Sequence, residues 1–242
     1  MLKINDENIE IKIKVTLLGI EKDCKLNFDG HVTNICQKAS NQINTLGRIQ
    51  NLLCQKEKET MITTFVYSNF NYAPLVWHFS SQKSQNKIEK IQERCLRILL
   101  NDFLSSYKTL LEKSGQPTME VKRLRILAIE IYKTLNNLNP DFMRELFHYS
   151  PYATYKKHNL QVHHRRTVKF GNNSIKALGS HIWNSLPEYI KEMSSNSKFR
   201  ELIKTWDGPQ CKWYLCSKQL QKLHSLYASS LSFSRSLDFQ II

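Results

Sequence analysis

The chain has 242 residues, enough to bury a sizeable core as one domain or as two small ones. Its hydrophobic fraction of 41% suits a folded protein, and 35 Lys and Arg against 21 Asp and Glu leave a formal net charge of +14. A positive field of that size attracts polyanions, nucleic acid first and anionic membrane second, unless it is only a basic surface. No window approaches the roughly 18 uninterrupted apolar residues of a membrane span. Asp6 and Glu7 interrupt the start, where a secretory signal would need an apolar run. These features predict a soluble intracellular protein, nuclear or cytoplasmic, without a membrane partner.

From Ile9 to Leu17 apolar and polar residues alternate, Ile9, Ile11, Ile13, Val15 and Leu17 against Glu10, Lys12, Lys14 and Thr16. Period two predicts a strand with one buried side. The polar run Glu21-Lys22-Asp23 is the expected turn, with Leu26 and Phe28 in the returning strand. From His31 the period becomes helical: Val32, Ile35, Cys36, Ala39, Ile43, Leu46, Ile49 and Leu53 share a face, and Asp29 or Gly30 is the candidate cap. A second helix is expected from Glu57 to near Asn69, with Met61, Phe65 and Val66 inward, ending before Pro74. A third runs from about Ser84 to Asn101 on Ile88, Ile91, Cys95, Ile98 and Leu99, with Lys87, Glu89, Lys90, Glu93, Arg94 and Arg97 outward. A short helix spans Tyr107–Lys113. A long one spans Met119–Leu138 with Val121, Leu124, Leu127, Ile131, Leu135 and Leu138 inward, stopped by Asn139-Pro140.

Beyond Leu146 the composition changes. No Asp or Glu occurs from Leu146 to Pro187, while Lys156, Lys157, Arg165, Arg166, Lys169 and Lys176 do, with five histidines and with Tyr149, Tyr152, Tyr155 and Phe170 between them. Cations bind phosphates, aromatic rings stack on unpaired bases, and missing carboxylates leave the field unscreened, so these six cations are the candidate nucleic-acid-binding residues. A solvated basic loop is the competing reading. Helices are expected over Asn172–Asn184 and Lys198–Trp206, and the Ser- and Lys-rich tail from Asp207 is expected to be disordered. The organisation predicted is a mainly α chain: a β-hairpin over 1–30, a helical bundle over 31–146, a basic acid-free segment with short helices over 147–206, and the tail over 207–242.

Constellations for chemistry are absent from the sequence. There is no adjacent Asp pair for two-metal catalysis, no phosphate-binding Gly loop and no nucleophile elbow. His163 and His164 are neighbours and diverge on any regular element. Cys24, Cys36, Cys54 and Cys95 are spaced too widely for zinc and read as core thiols of a reduced protein. Cys211 and Cys216 form at most half a zinc site, so no metal is expected.

Several stretches, in order, resemble the C-terminal part of reverse transcriptases from non-LTR (LINE-type, jockey-like) retrotransposons. Val15–Ile20 with Leu26, Phe28 and His31 resembles the strand pair that closes the palm, and the helix from His31 to Leu53 resembles the one leading into the thumb. Tyr72–Trp77, Lys87–Arg94 with Arg97, Tyr107 with Leu110-Leu111, and Arg123-Leu124 through Asn139-Pro140 are similar to successive family segments. The most specific likeness lies in Phe170–Pro187, FGNNSIKALGSHIWNSLP, and there in Ile182, Trp183, Asn184, Leu186 and Pro187; with Trp77 these are the family-motif residues, read as structural. In the family a Cys cluster often follows; here Trp213 stands where its middle Cys would be. The resemblance implies that the fingers, the palm with its Tyr-x-Asp-Asp motif and the Mg²⁺ it holds would precede Met1. It therefore implies a piece of an RNA-directed DNA polymerase with no catalytic residue and no cofactor of its own, and with RNA or DNA as partner. It also implies that the hairpin lacks the sheet it would pack on, leaving Ile9, Ile11 and Ile13 exposed or repacked.

Overall fold

A computed structural model describes residues 2–4, 7–9, 12–151, 158–162 and 174–209, the first two stretches as backbone only. The protein is mainly α, with two antiparallel strand pairs at its N-terminus. It divides into two compact units, Met1–Leu127 and Ala128–Ile242.

Strands β1 (Leu2–Ile4) and β2 (Glu7–Ile9) pair with each other, and β3 (Lys14–Leu17) pairs with β4 (Ile20–Asp23) in the register Lys14↔Asp23 to Leu17↔Ile20. The single strand expected over Ile9–Leu17 is thus two shorter ones. The turn falls at Leu18-Gly19, not at Glu21–Asp23, because both turn residues take positive φ, 48° and 77°. Such two-residue loops match the right-handed twist of the strands they join. Every residue of β3 is exposed, and Ile13 just before it is 74% exposed, so the buried side expected for this strand is open to solvent. Leu26 and Phe28 belong to no strand: both have positive φ in the connection to the first helix.

That helix, α1 (Asp29–Ile49), buries Val32, Cys36, Ala39, Ile43 and Leu46, as its period predicts. Asp29 does not cap it. Its carboxylate accepts instead from the Ser81 amide (3.0 Å), the Ser81 hydroxyl (2.7 Å) and the Ser84 hydroxyl (2.6 Å) at the start of α5 (Gln82–Leu100). Between them runs a helical path, α2 (Gln55–Met61), a π-helical stretch Ile62–Tyr67 and α3 (Ser68–Asn71). The wider turn places Tyr67 with Ile62, five residues on, and leaves Phe65 exposed, against the expectation that it points inward. The short helix α4 (Pro74–Trp77) follows, then α5, whose Ile88, Ile91, Cys95, Leu96, Ile98 and Leu99 pack with the α1 face and with Phe70 and Trp77 into one core. Asn101, at φ 52°, ends α5. Of the four candidate core thiols, Cys36 and Cys95 are buried, and burial raises their pKa to about 11 and about 12. Cys24 and Cys54 are exposed instead: one sits in the turn after β4, the other at the N-cap of α2, where the Glu57 carboxylate accepts its amide at 2.8 Å.

After α6 (Tyr107–Ser114) comes α7 (Met119–Leu135). It stops three residues before the expected end. Asn136 and Asn137 turn the chain, Asn137 at φ 56°, and Leu138, expected inward, is exposed. The start of α7 is satisfied by Glu89, whose Oε1 accepts the Glu120 amide (2.8 Å) and whose Oε2 accepts the Met119 amide (3.2 Å) and the Tyr107 hydroxyl (2.6 Å). Read from period alone, Glu89 is a surface charge. In the fold it is the N-terminal partner of another helix. The second unit continues with α8 (Asp141–Arg144), α9 (Ile175–Ser185), α10 (Glu188–Lys191) and α11 (Asn196–Leu202). Among the described residues no helix is long and apolar enough to cross a membrane.

Candidate nucleic-acid interface

Helix α9 carries the Trp-Asn-Ser-Leu-Pro motif and begins at Ser174, whose side chain accepts the Ala177 amide at 3.3 Å. The helix lies against Phe147 so closely that a Cβ on Gly179 would fall 2.7 and 2.8 Å from two of its ring carbons. Ile182, Trp183 and Leu186 are buried, and the Trp183 ring stacks 6.2 Å from Phe199, which itself stacks 4.2 Å from Tyr132. The Tyr132 hydroxyl donates to the Met193 carbonyl at 2.9 Å, tying α7 to the loop after α10. Pro187 is the N-cap residue of α10.

The polar atoms of the motif hold the described part of the acid-free segment. Trp183 Nε1 donates to the His158 carbonyl (2.7 Å). Asn184 Oδ1 accepts the Leu160 amide (2.7 Å) while its Nδ2 donates to the Leu160 carbonyl (2.8 Å). A primary amide carries one acceptor and two donors on a plane, so Asn184 does for Leu160 what a neighbouring strand would do. On its other side Leu160 bridges Tyr149, with Ser150 donating to the Asn159 carbonyl (2.9 Å) and Gln161 to the His148 carbonyl (2.8 Å). Leu160 itself is buried. Residues 158–162 are therefore fastened on both sides, one side by α9 and the other by 148–150.

The cations fare differently. Lys176 sits half-buried on the first turn of α9. Lys156, Lys157, Arg165, Arg166 and Lys169 lie outside the described residues, as do Tyr152, Tyr155, Phe170, Cys211, Cys216 and the tail from Gln210. A cation that sequence reasoning did not single out, Lys191, is buried. It donates to Asn159 Oδ1 (2.9 Å) and Glu188 Oε1 (2.9 Å), so its charge serves the fold. Burial lowers the pKa of the His181 imidazole on α9, so it adds no positive charge near neutrality. His158 Nε2 stands 3.9 Å from Glu192 Oε1, an ion pair only when the ring is protonated.

In the first unit Trp77 is fully buried, its Nε1 donating to the Tyr72 carbonyl at 3.3 Å. The Arg123 guanidinium lies 5.3 Å from its ring centre and donates to the side-chain carbonyl of Gln85. Arg123 Nε and Nη1 have no hydrogen-bond partner, and burial lowers the group's pKa. Arg123 lies outside the apolar face that the period of α7 predicts, so its burial had no signal there.

The Mg²⁺ that the resemblance implies for the intact enzyme does not fit the described carboxylates. Asp29 is occupied by Ser81 and Ser84, Glu89 by the α7 amides, and Asp102 by Lys113 Nζ (2.6 Å) and Ser105 Oγ (2.6 Å). No three metal-ligating side chains converge among the described residues. No protein-family model, no curated protein and no solved structure matches the chain.

Proposed function

We propose that the chain is a nucleic-acid-binding piece of a non-LTR retrotransposon reverse transcriptase, acting inside the cell, nuclear or cytoplasmic, with no catalytic group among its own residues. The observation that carries this reading is the acid-free window from Leu146 to Pro187, together with the fastening of its middle, 158–162, by Trp183 and Asn184. Phosphates would meet Lys156, Lys157, Arg165, Arg166, Lys169 and Lys176, and the aromatic side chains between them would meet bases.

The test is the salt dependence of binding to a single-stranded RNA. Each phosphate contact contributes about 0.7 to the slope of log K against log salt on a single strand. Arg165→Glu with Arg166→Glu should lower the slope by at least roughly 1.4 and weaken binding at every salt concentration. An unchanged slope removes these residues from the interface. A second reading, an element relic that keeps only its fold, is favoured by the use of Ile182, Trp183 and Leu186 in packing. Equal weak affinity for heparin and for structured RNA would select it. Primer extension by the purified chain with Mg²⁺ would contradict both.

A further inference from the structure

In the first unit the C-terminal turns of α1 and α5, with the loop that follows α5, line an open hollow of about 360 Å³. Its floor is apolar, formed by Ile43 and Ile98, and its walls carry Asn44, Arg94, Arg97 and Phe103. Arg94 donates to Ser40 Oγ (3.2 Å) and Asn44 Oδ1 (2.8 Å), both neutral, so its charge is oriented without being neutralised by these partners. Gln50 lines the same cavity, and its side-chain carbonyl is buried without a hydrogen-bond partner.

The loop is built to hold an aromatic ring at the rim. Arg97 donates to the Phe103 carbonyl (2.6 Å) and to Glu93 Oε1 (2.6 Å), which makes it a positioning residue for Phe103. Asp102 accepts from the Leu104 amide (3.2 Å), the Ser105 amide (3.0 Å), the Ser105 hydroxyl and Lys113 Nζ. Those bonds, the ion pair with Lys113 foremost, hold its carboxyl well below the usual carboxylate range. On this fixed loop Phe103 is 55% exposed and Leu104 is 99% exposed. Phe103 thus presents an apolar ring to solvent in the same hollow as the Arg94 guanidinium.

We propose that this hollow receives one unpaired nucleotide: its base stacks on Phe103 over the apolar Ile43 and Ile98, and its phosphate meets Arg94. Each feature selects for part of that ligand. The volume lies at the small end of ligand cavities and suits a single base, not a base pair. The half-exposed ring of Phe103 suits a planar group, and the Arg94 guanidinium, held by two neutral partners, suits an anion. A nucleotide joins both, and a chain of net charge +14 concentrates such anions around itself. The site deepens the nucleic-acid reading above, yet it lies in the other unit from the acid-free segment, so the two can fail separately.

The experiment measures binding of the full chain to a short single-stranded RNA, to a blunt duplex of the same sequence and to free AMP. Phe103→Ala should weaken single-strand binding about tenfold, the order expected for loss of one base stack, without changing the salt slope. Phe103→Trp should restore the affinity, and duplex binding should not respond to either change. Arg94→Gln should lower the single-strand slope by about 0.7. Equal single-strand affinity of the wild type and Phe103→Ala overturns the proposal and leaves the basic segment as the interface. AMP binding that depends on Phe103, with no RNA binding by the wild type, keeps the cavity and removes the wider reading. Binding of neither AMP nor RNA, or Phe103-dependent capture of an aromatic peptide carboxylate that nucleotides do not compete for, overturns the proposal.

Discussion

The β3–β4 hairpin and helix α1 carry equally clear amphipathic patterns, and only one of them buries its apolar face. Val32, Cys36, Ala39, Ile43 and Leu46 of α1 are buried against α5 and the helical path from α2 to α3. Val15 and Leu17 of β3, and Ile13 just before it, are exposed. The difference lies in what the chain supplies opposite each face. A helix covers neighbouring helices through ridges and grooves on several sides, whereas a two-stranded ribbon has two faces and needs a layer over each. Among the described residues the hairpin has such a layer near its far strand. Ile20 is buried, Glu21 accepts from Asn34 Nδ2 of α1 at 3.1 Å, and the Tyr72 hydroxyl donates to the Leu18 carbonyl at 2.7 Å. Period states which residues would share a face; whether that face is covered depends on elements distant in sequence.

The largest effect expected from this contrast is between matched truncations. Leu96 is fully buried in the α1–α5 core, and Leu96→Ala should cost about 2–5 kcal/mol. Leu17→Thr on the open strand should stay within about 0.5 kcal/mol, since it neither opens a cavity nor breaks a named bond. Urea unfolding of the two variants gives the comparison directly. A loss above roughly 2 kcal/mol for Leu17→Thr would mean that the strand face is covered in solution, and the contrast would collapse.

A smaller effect is expected where the two regions join. His31 of α1 is buried, and its Nδ1 accepts the Glu21 amide of β4 at 3.4 Å. Burial pushes its pKa below the usual 6.5, against the opposing pull of the Glu21 carboxylate. The folded state therefore favours the neutral ring, the form that can accept. Its contribution is present above the unfolded value of 6.5 and is lost as pH falls through the lowered folded value. Hydrogen-exchange protection of the β3–β4 amides should fall between pH 7 and pH 5 while that of α5 holds. His31→Gln, which keeps an acceptor and cannot titrate, should flatten the profile. Parallel loss of protection in hairpin and helix would show that His31 is not their joint.

Most of the helical order was legible because long periodic segments stopped by Gly, Asn or Pro leave few alternatives, whereas the Ser caps were not singled out. Ser81, Ser106 and Ser174 each accept an amide at the head of a helix, and Gly115 follows the end of α6. The hairpin turn was misread because polarity was weighed above conformation: Leu18-Gly19 carries no polar signal, yet its positive φ values make the turn. Phe65 was misplaced because a π-helical turn shifts the face without any mark in the composition. In the candidate interface the acid-free window and the motif were visible as residue types. The pairing of Asn184 with the Leu160 backbone was not, since 24 positions separate them and nothing local specifies the partner. The cavity between α1 and α5 was hidden for the same reason, its cations having been read as an exposed helix face.

The smallest effect tests the hairpin by its turn. Leu18 takes φ 48° with its side chain 79% exposed, so it bears the strain of a left-handed residue with little packing in return. A left-handed conformation costs most L-residues about 1–2 kcal/mol, and Asn adopts it more readily; Asn-Gly is the favoured pair for a two-residue hairpin loop. Leu18→Asn should therefore stabilise the hairpin by about 0.5–1 kcal/mol, visible as stronger protection of its amides, and the Tyr72 bond should survive because its acceptor is the backbone carbonyl. A loss of stability on that substitution has one physical reading. The Leu18 side chain would then be in contact with something apolar in solution, and the open face of the hairpin would be a surface that the protein keeps covered.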